Sequence, residues 1–160
     1  MGEGILTQEL VTRAIALATP SINAVLAEKD TGWGPRWVAV VVSGPGLEGR
    51  IVELVGHIEE WKVQWGEQRD FREIASQKAS LAERTGMPTE EVVSRKPWLL
   101  QEGDFLFQGG TAGERGGLTV TASGAHGETD EGISDMVKAL LIMLCRLRVK
   151  QMKEAGVDRL

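Results

Sequence analysis

Two histidines are the whole imidazole inventory of this 160-residue chain, and both stand among carboxylates. His57 lies in the alternating stretch Ile51–Trp61, where a period of two sets Glu53, Val55, His57, Glu59 and Trp61 on one side and Val52, Leu54, Gly56 and Ile58 on the other. An imidazole, carboxylates and an indole on one strand face are the parts of an acid/base wall, and an alternating sheet also has one polar side for plain solvation. His126 falls in Ser123-Gly-Ala-His-Gly-Glu-Thr-Asp-Glu131, the densest polar cluster in the chain. His126, Glu128 and Asp130 have the chemistry of metal ligands, yet their spacing is no recognised metal motif and no metal is assigned. Acidic residues also stabilise a first helical turn without any ligand. Ser123 lacks the Gly-x-Ser-x-Gly setting of a hydrolase nucleophile. The acid/base candidates are therefore His57, Glu59, His126 and Glu128.

Binding chemistry has other carriers. Trp33, Trp37, Trp61, Trp65 and Trp98 are five tryptophans in a chain without tyrosine, and aromatic walls suit flat ligands, although core packing also uses them. Arg50, Arg69 and Arg95 are each able to clamp a carboxylate in bidentate fashion. The run Gln108-Gly-Gly-Thr-Ala-Gly-Glu-Arg-Gly-Gly117 lacks the Gly-Lys-Ser/Thr ending of a phosphate loop. It reads as tight turns whose glycines let a ligand approach the backbone.

The elements that must position these groups follow from periodicity. Leu10, Val11, Ala14, Ile15, Ala18, Ile22, Val25 and Leu26 recur at helical spacing, predicting a helix over Thr7–Lys29 that Pro20 should kink or split. Trp37–Val42 is a β-branched run without alternation, the pattern of a strand covered on both faces, and it forms a hairpin with Ile51–Trp61. Asp70–Arg84 is helical, capped by Asp70 and stopped by Gly86, with Lys78 on its apolar side. A shorter helix opens at Pro88 and closes at Pro97. Phe105-Leu-Phe107 reads as a strand between glycine loops, Leu118–Ala122 as another, and Thr129 as the cap of a long last helix whose Ile133, Met136, Val137, Leu140, Leu141, Leu144 and Leu147 should form its buried face. The order of elements predicts an α+β sandwich, one antiparallel sheet between helices, as a single domain over 1–160.

Composition narrows the class. With 18 Lys+Arg against 23 Asp+Glu the charge is −5, which disfavours general nucleic-acid binding. The one cysteine, Cys145, excludes an intrachain disulfide and a cysteine zinc site. The longest unbroken apolar run, Ala139–Cys145, is far short of a membrane span, and the N-terminal residues do not resemble a secretion signal. A cytoplasmic protein is expected.

At Phe71–Ala82, at Gly86-Met-Pro-Thr89 and again at Gly116–Glu131 the chain resembles the GlcG/HbpS family, which includes the C-terminal domain of PduO proteins. Ile74-Ala75, Lys78-Ala79, Pro88-Thr89, Gly109-Gly110, Gly124 and Asp130-Glu131 match the family pattern in order and approximate spacing. The resemblance implies a profilin-like α/β/α sandwich with a five-stranded antiparallel sheet flanked by helices, assembled as a homo-oligomer. It also implies a small planar ligand, haem in several members. The first helix here has no histidine, where some relatives place a haem ligand, and Glu60–Arg69 departs from the family's Arg-x-Asp-Gly-Ala. The expected ligand is thus haem or an aromatic acid, met by Trp61, Trp65, Arg69, Lys78, Gly109, Gly110 and Asp130. Two alternatives stand beside a binding domain. One is a cofactor-free lyase similar to the hydroxylaminobenzoate lyases, giving a dihydroxybenzoate and ammonia. The other is an oligomeric interaction protein that uses the helix Ile133–Leu147 as its contact face.

Overall fold

A computed structural model describes residues 4–32, 36–58, 63–64, 67–68, 70–106, 111–112 and 117–160. The elements are α1 (Gln8–Ala27), β1 (Trp37–Ser43), β2 (Ile51–Gly56), β3 (Val63–Gln64), β4 (Glu67–Gln68), α2 (Phe71–Thr85), α3 (Thr89–Arg95), a 3-10 turn (Pro97–Leu99), β5 (Thr111–Ala112), β6 (Thr119–Ser123) and α4 (Gly127–Glu154).

The fold is α+β, with an antiparallel sheet ordered β2-β1-β6-β5 and a separate ribbon β3-β4. This corrects the expected five strands: among the described residues the sheet has three strands of five residues or more, and β5 adds only two residues at one edge. The described residues of the island expected as a strand, Phe105 and Leu106, are irregular; the pairing falls instead on Thr111 and Ala112, opposite Thr121 and Val120.

β1 has no polar face because it has no wet face. Val38, Val40 and Val42 pack with Val55, Val120 and Ala122 under α1 and α4, while Trp37, Ala39 and Val41 pack under α2 against Phe71, Ile74, Ala75 and Ala79. Each fully buried valine contributes roughly 1.5–3 kcal/mol relative to exposure. Trp37 is wholly buried, its ring 4.9 Å from that of Phe71, so this tryptophan is core and not the wall of a pocket. It lies between two glycines with positive φ, Gly56 (110°) and Gly124 (145°). A Cβ at Gly56 would collide with the Arg36 carbonyl, and one at Gly124 with the Trp37 carbonyl, so strands close this tightly on β1 only without side chains there.

Helix α1 starts at Thr7, whose hydroxyl accepts from the Leu10 amide at 3.3 Å. It continues through Pro20 as one helix, so the proline does not split it. Pro20 and Ala16, the residue whose carbonyl loses its partner, both face solvent, which leaves that carbonyl on the side open to hydration. By length and composition α1 is also long and apolar enough to cross a membrane. Its apolar stripe, Leu10 to Leu26, is buried against the sheet instead. Asp70 caps α2 by accepting from the Arg72 amide, and Gly86 ends it at φ 70°, as their types predict. Helix α4 starts two residues before the expected cap, with His126 at the N-cap position. Thr129 lies inside the first turn, its hydroxyl donating to the Thr31 carbonyl at 2.8 Å.

Candidate functional site

Lys78 and Asp130 stand 52 residues apart in sequence and meet in the interior. Lys78 projects from the middle of α2 and donates to the Asp130 carboxylate at 3.1 Å and to the Ala122 carbonyl at 2.9 Å. The registered β5–β6 pairs end at Thr121, so the ammonium takes the carbonyl one residue beyond that short edge strand. The second carboxylate oxygen of Asp130 accepts from the Ala125 amide at 3.0 Å. One turn along α2, the Ala75 carbonyl accepts from the buried Thr121 hydroxyl at 2.8 Å. The pair therefore clamps the turn 123–126 from beneath and ties helices on opposite faces of the sheet.

Both groups are nearly closed to solvent, with side-chain exposures of 4% and 3%. Removal from water dominates: it pushes the Asp130 carboxyl from 3.8 up to about 6, against the pull of Lys78 and the Ala125 and Gly124 amides. The Lys78 ammonium is shifted down by the same loss of hydration. This buried ion pair, with further backbone partners on each side, supports the loop above it.

Above it, the end of the sheet marked by Trp37 gathers the chemistry read from the sequence. His57 follows β2 directly and is exposed; its amide donates to the Arg36 carbonyl at 2.8 Å. Its side lines a groove of about 390 Å³ between β2 and α1, shared with Glu53, Thr12, Thr19 and Asn23. Glu53 accepts from Thr12 across it at 3.2 Å. His126 is exposed too and lines a second groove, of about 380 Å³, with Arg36, Lys29 and Glu28. Arg36 lines the groove of His126, and its carbonyl accepts from the His57 amide. Each groove falls in the size range of small-ligand sites.

Glu128 is exposed on the first turn of α4, whereas Asp130, two residues on, points inward to Lys78; His126, Glu128 and Asp130 therefore do not converge. Among the described residues no group of three His, Cys, Asp or Glu side chains is placed to hold a metal ion. Glu59, Trp61, Trp65, Arg69, Gly109 and Gly110 lie outside the described residues, as does Trp33. The chain leaves this end of the sheet at His57 and returns to it at Phe71, which packs on Trp37. Trp98 is exposed on the 3-10 turn.

Arg36 was not among the residues singled out from the sequence. No motif surrounds it; only its place before β1, beside Gly56 and His57, gives it a role. Arg50, a carboxylate clamp by its chemistry, does clamp one, but the carboxylate is Glu83 of α2, at 2.8 and 3.1 Å. A larger groove, about 500 Å³ near Arg50 and Gly46, contains neither histidine. The class defined by these observations is a three-layer α+β protein with a buried Lys–Asp clamp beneath a histidine-bearing end. Comparison with family models, with curated proteins and with solved structures returns no match.

Proposed function

We propose that this protein is a small-molecule-binding domain of the GlcG/HbpS type, profilin-like in architecture, that takes a planar aromatic acid at the His57–Arg36–His126 end of the sheet. The observation that carries the reading is Arg36, which lines the groove of His126 and whose carbonyl accepts from the His57 amide, so that each histidine lies beside a groove of ligand size. A guanidinium supplies the bidentate donor that a carboxylate needs, and Lys29 adds positive charge to the same groove. His57 and His126 supply hydrogen bonds at either side. Lys78 and Asp130 serve as positioning residues, holding the turn that presents His126. A haem ligand is the less favoured planar molecule, since polar and charged groups line both grooves.

The test is a titration of intrinsic tryptophan fluorescence with benzoate, hydroxybenzoates and a hydroxylaminobenzoate, with haemin in parallel under absorption. Saturable quenching by the acids, lost in His57→Ala and in His126→Ala, is the expected result. A saturating Soret band with no response to the acids would replace the ligand class. Unchanged binding in both histidine variants would overturn the placement. Ammonia release from the hydroxylaminobenzoate would make the same site a lyase, with the exposed histidines as the proton-transfer groups.

A further inference from the structure

The outer edge of β2 is bare, and the direction of its backbone groups is fixed from two sides. The His57 amide donates to the Arg36 carbonyl at 2.8 Å, so at a period of two Val55, Glu53 and Ile51 also turn their N–H and C=O groups to β1. The same phase follows from across the sheet. Lys78 takes the Ala122 carbonyl on the β5 side of β6, which leaves Thr121 and Thr119 to bond Val41 and Ser43, and Val38, Val40 and Val42 to bond β2. Val52 and Leu54 therefore point both backbone groups outward, and among the described residues nothing meets them. β2 carries neither the lysine nor the proline that commonly blunts such an edge.

Two grooves run beside this edge, between it and α1. One, of about 500 Å³, lies along residues 48–52 and the start of α1; the other, of about 390 Å³, lies along residues 53–57 and Thr12, Thr19 and Asn23. Glu48 lines the first and Glu53 the second. Arg50, which also lines the first, is already neutralised by Glu83 at 2.8 and 3.1 Å. The opposite face of the edge is apolar: Val52 is 42% exposed there, beside half-buried Leu54.

We propose that the β2 edge is a docking site for an extended segment of another protein, about six residues long, that adds to the sheet as a strand and alternates apolar with basic residues. Opposite Val52 and Leu54 the segment sets apolar side chains, which cover Val52. Opposite Glu53 it sets a lysine or arginine, on the side of the two grooves. Backbone bonds to Val52 and Leu54 supply affinity, and the alternation supplies specificity. A second copy of this chain is a poorer occupant, because antiparallel pairing of Val52 with Leu54 sets one Glu53 directly against the other. The inference does not rest on the acid proposed above, whose Arg36 and His126 line neither groove.

Fluorescence anisotropy on the full chain tests it, with a labelled peptide alternating lysine and valine over about eight residues, long enough to span β2. A peptide alternating glutamate and valine is the control. The lysine peptide should bind saturably, and the glutamate peptide at least about tenfold more weakly. Val52→Pro removes one outward N–H and obstructs the edge while sparing the bonds to β1, as a proline on an edge strand does. It should weaken binding by about tenfold, whereas Val52→Thr, which keeps the amide, should bind nearly as the wild type does. Circular dichroism checks that each variant is folded. Amide hydrogen exchange on the wild-type chain adds a readout that needs no variant: the lysine peptide should slow exchange at Val52 and Leu54. Absence of saturable binding overturns the proposal, as do equal affinity for the glutamate peptide, unaltered binding by Val52→Pro, and protection confined to residues outside β2. A concentration-dependent dimer that Val52→Pro abolishes would give the edge to a second copy and overturn it too.

Discussion

The Lys78 ammonium and the Asp130 carboxylate meet at 3.1 Å through the interior of the protein, joining a helix on one face of the sheet to a helix on the other. Two charges almost out of reach of water are tolerable only because each has further partners: the Ala122 carbonyl for the lysine, the Ala125 amide for the aspartate. That arrangement makes strong demands on any substitution.

Removing one partner leaves the other charged and buried. Lys78→Met is expected to destabilise the fold by about 3–5 kcal/mol, and Asp130→Leu by a similar amount. The double variant should recover most of that loss, because apolar side chains of similar size need no partners. Urea unfolding of all four proteins closes the cycle; additive losses would show that the two residues do not act as a pair.

The Asp130 carboxyl, raised from 3.8 to about 6, gives stability a definite pH dependence. Between those values the folded state binds more protons than the unfolded one. Its favourable contribution is therefore full below about pH 4 and is lost as the pH rises through about 6. The thermal midpoint of the wild-type chain should fall relative to that of Lys78→Met/Asp130→Asn over this window. A constant difference between the two proteins would contradict the assignment.

The glycines that flank Trp37 offer a steric test. Gly56→Ala should cost more than 2 kcal/mol, since φ is 110° and a Cβ would strike the Arg36 carbonyl. Gly103→Ala, at φ 90° but with open space around it, should cost only about 1 kcal/mol. Chemical unfolding of both variants reads the difference directly, and equal losses would mean that the close approach to β1 is not what selects glycine.

Arg36 is exposed, so its removal should spare stability while affecting the anion. Arg36→Met is expected to weaken benzoate binding by at least about tenfold, the loss of one charge-assisted hydrogen bond. Calorimetric titration, with an unchanged unfolding midpoint as control, checks both halves; unaltered affinity would remove Arg36 from the site.

Much of the scaffold was legible because its signals are local. The apolar period of α1, the Asp70 cap, the Gly86 stop and the unbroken β-branched run of β1 depend on residues a few positions apart, and the structure follows them. Local signals misled where packing overrode them. Pro20 does not break a helix whose stripe is locked on the sheet, and Thr129 does not cap α4 because its hydroxyl finds Thr31 instead. On β2 the alternation was correct, yet it did not say which side was wet: Ile51 and Val55 go to the α1–α4 core, Leu54 packs toward α2, and Val52 is exposed.

The sequence by itself determined that the chain builds an antiparallel sheet between helices, and that its two imidazoles stand beside carboxylates, since residue type and short spacing carry both facts. Only the tertiary structure decided that Lys78 on α2 would meet Asp130 on α4, that Arg36 would line a groove with His126, and that the sheet would run β2-β1-β6-β5. Those relationships join residues far apart along the chain. Their energies exist only once apolar faces have excluded water and brought the elements together, so no local pattern encodes them.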